Sequence, residues 1–274
     1  MDDFTFYDLH AHTTASDGAL SPAELVRAAK SQNLRALAVT DHDTVEGIEE
    51  ARSEADAVGI ELVPGVEVSA NFGDVPVHVL GLFIEDREPW LREFFTEAAL
   101  RRVDRIHEMV SKLRKLDIDI EPTAVLARSI HGTVGRPHVA EELVELGVVS
   151  NLKEAFVRFL GQDGPAYVGY EKVSLKDATE LIRRAGGVSS LAHPVLLEDD
   201  TLIPEMAEAL QALEVYHKDH TSANEKGYEE LADELGLLKT GGSDFHRAND
   251  GESPQLGCAR LTEEAFEKIR AAAK

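Results

Sequence analysis

The sequence predicts an α/β fold in which parallel strands, covered by helices, close or partly close into a barrel that is interrupted by an inserted α-helical subdomain. Three observations carry this prediction. Strand-like and helix-like segments alternate over residues 1–87, the alternation resumes over 166–274, and residues 88–165 show only helical periodicity.

Taken in order, "YDLHAH" opens as a strand. "SPAELVRAAKSQN" is a helix, with Ser21 as its N-cap, Pro22 at the first helical position, and Leu25, Val26 and Ala29 on one face. "ALAVTDH" is a short β-branched strand, "TVEGIEEARSEADAVG" a helix ending at Gly59, and "ELVPGVEVSA" and "VHVLGLF" are strands. The insert then reads as four helices, "LREFFTEAALRRVDRIHEMVSKLRKL", "PTAVLARSI", "PHVAEELVEL" and "NLKEAFVRFL", with Trp90 and Met109 as packing residues. The second half of the barrel follows: "LKDATELIRRAGG" as helix, "VSSLAHP" as strand, "IPEMAEALQA" as helix, "LEVYH" as strand, "NEKGYEELADELG" as helix and "LKTGGSDFH" as strand.

Charge and cysteine content narrow the function classes. Lys and Arg number 28 against 51 Asp and Glu, a net charge of −23, which argues against long nucleic acid and against an anionic membrane surface as partners. A phosphorylated ligand must therefore be drawn by local groups. Cys258 is the only cysteine, so no intrachain disulfide forms; with no secretory leader and no apolar run of about 18 residues, the expected location is the cytoplasm. The charges of the insert read as solvated helix faces laced with i,i+4 pairs.

The chemistry lies at the strand ends. Side chains alternate along a strand, so His10 and His12 point the same way, about 6.5 to 7 Å apart, and their imidazoles can converge on one ion. Asp17 follows in the loop. The other strands deliver Asp41 and His42 in "TDH", Glu67 in "PGVE", His78 in "VPVHV", His193 in "LAHP", and Asp244 and His246 in "GGSDFH". In β/α barrels the C-terminal rim is where active sites lie. Gathering so many ionisable groups costs several kcal/mol per unpaired charge, and divalent cations are the usual compensation. Nitrogen and oxygen donors without sulfur suit Mn, Fe or Zn, and the donors exceed the needs of one ion, so two or three divalent metal ions are implied.

The series H-x-H…D, TDHD, PG-x-E, H, AHP and SD-x-H at 10–17, 40–43, 64–67, 78, 192–194 and 243–246 resembles the PHP (polymerase and histidinol phosphatase) superfamily. "GRPHVAEELVELG" and "PAYVGYEKVSLKDATELIRRAGG" look like the bacterial branch acting on nucleotides. The resemblance implies a distorted (β/α)7 barrel with the insert as a substrate cap, and metal-dependent hydrolysis of phosphate esters. It places His10, His12, Glu67 and Asp244 around a first ion, Glu67 with His78 and His193 around a second, and Asp17, His42 and His246 around a third.

Such a centre hydrolyses phosphate esters without a side-chain nucleophile, because paired ions acidify a water and neutralise phosphoryl oxygens. The expected substrate is a small phosphorylated nucleotide such as a 3′,5′-bisphosphate or a short oligonucleotide. A cyclic phosphodiester or a sugar or histidinol phosphate is the alternative, and an amidohydrolase reaction ranks below both. Arg136 and His138 in "GRPH" precede or open a helix whose N-terminus can hold a phosphate. Lys172 in "YEK" is a further substrate contact, His217 in "VYHKDH" a candidate general acid, and Asp43 a candidate proton donor or orienting group.

Overall fold

Three residues of strand, β1 (Phe6–Asp8), begin a sheet whose later members are β2 (Leu34–Val39), β3 (Glu61–Phe72), β4 (Val75–Leu82), β5 (Val173–Ser174), β6 (Val188–Leu191), β7 (Ala212–His217) and β8 (Leu238–Gly242). The computed structural model describes residues 6–128, 134–169, 173–197, 199–247, 256–258 and 261–273. The strand order is β1-β2-β3-β4-β6-β7-β8, with β5 beside β3. The sheet curls until its first and last strands meet: Leu9 N–H donates to Gly241 O over 3.1 Å, and His12 N–H to Phe245 O over 2.9 Å. Seven strands thus form a nearly closed barrel.

The all-parallel expectation fails at one place. β1, β2 and β3 run parallel, as do β6, β7 and β8, but β4 runs antiparallel to both β3 and β6. The cause is local: only Gly73 and Asp74 separate β3 from β4, too few for a crossover helix, and Gly73 takes φ +57°, which a hairpin turn requires.

The helices are α1 (Pro22–Ser31), α2 (Ile48–Val58), α3 (Pro89–Arg114), α4 (Pro122–Arg128), α5 (Arg136–Glu145), α6 (Leu152–Ala155), α7 (Leu175–Arg184), α8 (Ile203–Met206), α9 (Ser222–Leu235) and α10 (Glu263–Ala272). Ser21 caps α1 by accepting the Glu24 N–H, while the Glu24 carboxylate accepts the Ser21 N–H over 2.9 Å. The helix expected over "IPEMAEALQA" shortens to the single turn α8, because Gln211 N–H is taken by Ser189 O and the chain enters β7 at Ala212. No helix among the described residues is long and apolar enough to cross a membrane.

The chain divides into two units, Met1–Arg92 with Lys172–Lys274, and Glu93–Glu171. In the first, Tyr7 and Leu9 pack with Val63, Leu80 and Phe266, the Tyr7 and Phe266 rings stacking at 4.3 Å. Alternation then sends Asp8, His10 and His12 to the opposite side. Barrel closure leaves no room beside His10, since a Cβ on Gly242 would lie 2.3 Å from the His10 N and Cβ atoms. Gly242→Ala should therefore destabilise the protein by at least about 1–3 kcal/mol, read by thermal melting; an unchanged melting temperature would contradict this account of closure.

The second unit buries Ile106, Met109 and Leu113 of α3 against Ile120, Val125 and Leu143. The segment "NLKEAFVRFL" is not one α-helix: α6 runs into a π turn over Phe156–Leu160, closed by Gly161 N–H to Phe156 O at 2.7 Å. The wider turn leaves Phe159 and Leu160 buried.

A candidate metal centre at the barrel rim

Glu67 lies at the middle of the site. It sits within β3, wholly buried, and its two oxygens divide five imidazoles between them. Oε2 lies 3.1 Å from His10 Nε2, 3.1 Å from His12 Nε2 and 3.2 Å from His42 Nδ1. Oε1 lies 2.8 Å from His78 Nδ1 and 3.0 Å from His193 Nε2. Asp244, just past β8, brings Oδ1 to 3.4 Å from His10 Nε2, 3.2 Å from His12 Nε2 and 3.4 Å from His246 Nδ1. Asp17 meets His246 Nε2 at 3.2 Å and His42 Nε2 at 3.8 Å. The structure therefore brings together all nine residues that the sequence marks as candidate ligands.

The donor atoms of all but His193 fall into overlapping sets, each within 4.8 Å: His10, His12, Glu67 and Asp244; His42, Glu67 and His78; and His12, Asp17, His42 and His246. The first set is the deepest, and the third opens outward, the Asp17 side chain being 53% exposed. Divalent cations fit this arrangement. His12 Nε2 is buried and makes no hydrogen bond among the described residues, although two carboxylate oxygens lie within 3.2 Å. A buried ring nitrogen that faces two carboxylate oxygens without hydrogen-bonding either is placed as a ligand is around an ion.

The electrostatics agree. Burial alone would raise the Glu67 pKa, yet the imidazoles of His42, His10 and His78 hold it well below the usual carboxylate range. Asp244 is lowered in the same way: burial opposes the shift, and the adjacent imidazoles of His10, His12 and His217 outweigh it. Burial presses His42 down to about 4 despite Glu67 beside it, so its ring is neutral near pH 7, as a ligand must be. For His10 burial is outweighed by Glu214, Glu67 and Asp244, which raise its pKa well above the ordinary value. That is the field of a site with surplus negative charge.

The backbone is strained here too. Asp43, His193 and Asp244 take φ of +50°, +29° and +48°, values that cost a non-glycine residue about 1–3 kcal/mol each. Surrounding hydrogen bonds hold them. Asp43 Oδ1 accepts the Ser69 N–H at 2.8 Å, and the buried Asp41 accepts Thr13 N–H at 2.7 Å and the Ser16 hydroxyl at 2.7 Å, fixing the loop between His12 and Asp17.

Among the other expected residues, His217 lies with the centre: its buried Nε2 is 3.5 Å from Asp244 Oδ2. Its Nδ1 accepts the Asp219 N–H at 3.2 Å, which places the ring proton on Nε2, facing Asp244. Arg136 and His138 belong to the second unit. The Arg136 guanidinium lies 5.6 Å from the ring centres of Phe156 and Tyr167 and bonds Leu160 O, and His138 Nδ1 accepts the Gly135 N–H at the start of α5. Lys172 lies outside the described residues.

Two functional neighbours escaped the sequence reading. Lys218 Nζ pairs with the Asp244 carboxylate, and Glu214 on β7 is wholly buried against His10. In an even strand Glu214 and His217 would face opposite ways, but the register of β7 against β8 slips between Glu214 and Tyr216, and this bulge turns both inward.

Barrel and centre together define a metal-dependent hydrolase. The sequence pattern of the PHP domain matches residues 8–232, and the chain belongs to that family. It is 42% identical over 189 residues to a 5′-3′ exoribonuclease of Haemophilus influenzae, covering 69% of each chain. It is 33% identical over 259 residues to the 3′,5′-nucleoside bisphosphate phosphatase of Chromobacterium violaceum, covering 89% of this chain and 88% of that one. A solved structure from Bifidobacterium adolescentis, put forward as a metal-dependent phosphoesterase, superposes with a TM-score of 0.78 at 29% identity, over 98% of this chain and 97% of the other.

Proposed function

We propose that the protein hydrolyses phosphate monoesters of small nucleotides, nucleoside 3′,5′-bisphosphates or short oligonucleotides, with two or three divalent cations at its rim. One observation carries the reaction type: the Glu67 carboxylate, wholly buried, turns one oxygen to His10, His12 and His42 and the other to His78 and His193. A carboxylate shared in this way could serve two cation positions. The names of the relatives, one a nuclease and one a nucleotide phosphatase, support the substrate class. A net charge of −23 favours a small substrate over a long polyanion.

His10, His12, Glu67 and Asp244 would hold one cation, Glu67, His78 and His193 a second, and Asp17, His42 and His246 a third at the outer edge. When bound, the cations supply a water acidified to react near neutral pH and positive charge for the phosphoryl oxygens. The chain's own part is placement. Asp41 fixes the His12–Asp17 loop, Asp43 ties that rim to β3, and the buried His217 ring lies 3.5 Å from the Asp244 carboxylate. In this reading His217 steadies a ligand, since its Nδ1 already accepts a backbone N–H and its other nitrogen faces Asp244.

Phosphate release from a panel of nucleoside mono- and bisphosphates, cyclic phosphates and sugar phosphates, with metal content measured on the same sample, tests the proposal. Release from the nucleotides with two or three cations per chain is the expected result. Preference for a cyclic diester would replace the substrate class, and no release from any ester would end the reading. Arg136 and His138 enter as proposed phosphate contacts: Arg136→Ala should raise KM for a bisphosphate about tenfold with little change for an aryl phosphate, the loss expected of one charge-assisted contact. Equal losses on both would remove Arg136 from that role.

A further inference from the structure

We infer that Glu214 is a positioning residue that holds ligands of two different cation positions in register and keeps the His10 ring in its ligating form. The inference rests on the reading of the centre as a cation site. The Glu214 carboxylate lies 3.0 and 3.3 Å from His10 Nδ1 through its two oxygens, and its Oε2 accepts the His193 N–H at 2.7 Å. His10 belongs to the deepest donor set, and His193 faces the other oxygen of Glu67. One carboxylate thus grips a side chain of the first position and the backbone of the second. His193 needs such a grip, because it sits at φ +29°, where few non-glycine residues rest.

The proton on His10 follows from the same contact. A carboxylate can only accept, so His10 Nδ1 donates to it, and Nε2, which lies 3.1 Å from Glu67 and 3.4 Å from Asp244, is the nitrogen left to give its lone pair to a cation held among those carboxylates. No other described side chain is shown bonded to His10 Nδ1. Glu214 is wholly buried, so water does not substitute for it. The conservative amide replacement is then not harmless. In Glu214→Gln a single oxygen remains, and when it accepts the His193 N–H the amide NH2 faces His10 Nδ1. That nitrogen must become an acceptor, the proton moves to Nε2, and the ligating lone pair is lost.

The test compares Mn2+ binding by titration in the full-length protein, wild type against Glu214→Gln, each also in a His10→Ala background. Glu214→Gln should weaken Mn2+ binding about 10- to 100-fold, the usual scale for such partners, while the melting temperature of the metal-free protein stays within a few degrees. In the His10→Ala background the same change should cost several times less, because its main route of action is gone. Binding within twofold of wild type, or an undiminished loss in the His10→Ala background, would overturn the inference. If Glu214→Gln fails to fold, the wild type decides: long-range 15N correlation on the zinc-loaded protein should place the His10 proton on Nδ1, and a proton on Nε2 would overturn it. Absence of Mn2+ binding by the wild type would instead defeat the cation reading itself.

Discussion

Asp244→Ala should lower phosphate release at least about a thousandfold while leaving the protein folded, since losing a ligand of the deepest position removes several kcal/mol of transition-state stabilisation and each 1.36 kcal/mol is tenfold. Asp244 is the second carboxylate of the deepest donor set, and its Oδ1 lies within 3.4 Å of His10 and His12. Apart from its pairing with Lys218, the fold has little stake in its side chain. Its backbone, not its carboxylate, accepts from His246 Nδ1 at 3.0 Å, and the closure of the barrel runs through Leu9, His12, Gly241 and Phe245. Asp244→Asn separates charge from shape and should fail almost as badly. Circular dichroism, metal content and steady-state rates on the same preparations check the claim. A variant that is folded and retains even a tenth of wild-type turnover would show that the site has been placed wrongly.

Removal of cations has the second large effect. Chelation should abolish turnover and lower the melting temperature by several degrees, with both restored by Mn2+. A ligand held at a hundred times its Kd stabilises the folded state by about 2.7 kcal/mol, and each kcal/mol moves the melting point of a chain of 150–250 residues by about 2–4 °C. Here the stripped centre would leave Glu67, Asp244, Asp17 and Glu214 crowded around mostly buried imidazoles. Those imidazoles can take up protons in partial compensation, so the apo protein remains folded but weaker. A chelated protein with the melting point and rate of the untreated sample would refute the dependence.

The ligand-type residues were legible because each is announced locally. His10 and His12 share a strand face by spacing alone, and His42, His193, Asp244 and His246 follow β-branched or small-residue runs that read as strands. Their convergence was not legible in this sense, since it depends on which strands become neighbours. The hairpin at Gly73 shows the difference: "ELVPGVEVSA" and "VHVLGLF" both read as strands, but that β4 runs antiparallel between β3 and β6 follows only from sheet order. The π turn at Phe156–Leu160 and the shortening of α8 escaped because core packing and a backbone bond to Ser189 override a helical pattern.

The sequence by itself determined the alternation of strands and helices, the inventory of imidazoles and carboxylates, and the position of most of them just past strand ends, Glu67 and His78 lying instead within β3 and β4, because period and capping are properties of neighbouring residues. Only the tertiary structure decided that Glu67 stands between five rings and that Glu214 reaches His10, because these depend on barrel closure at Gly242 and on a one-residue slip in β7. Contacts between side chains 57 and 204 positions apart are set by register, and register is a property of the assembled sheet.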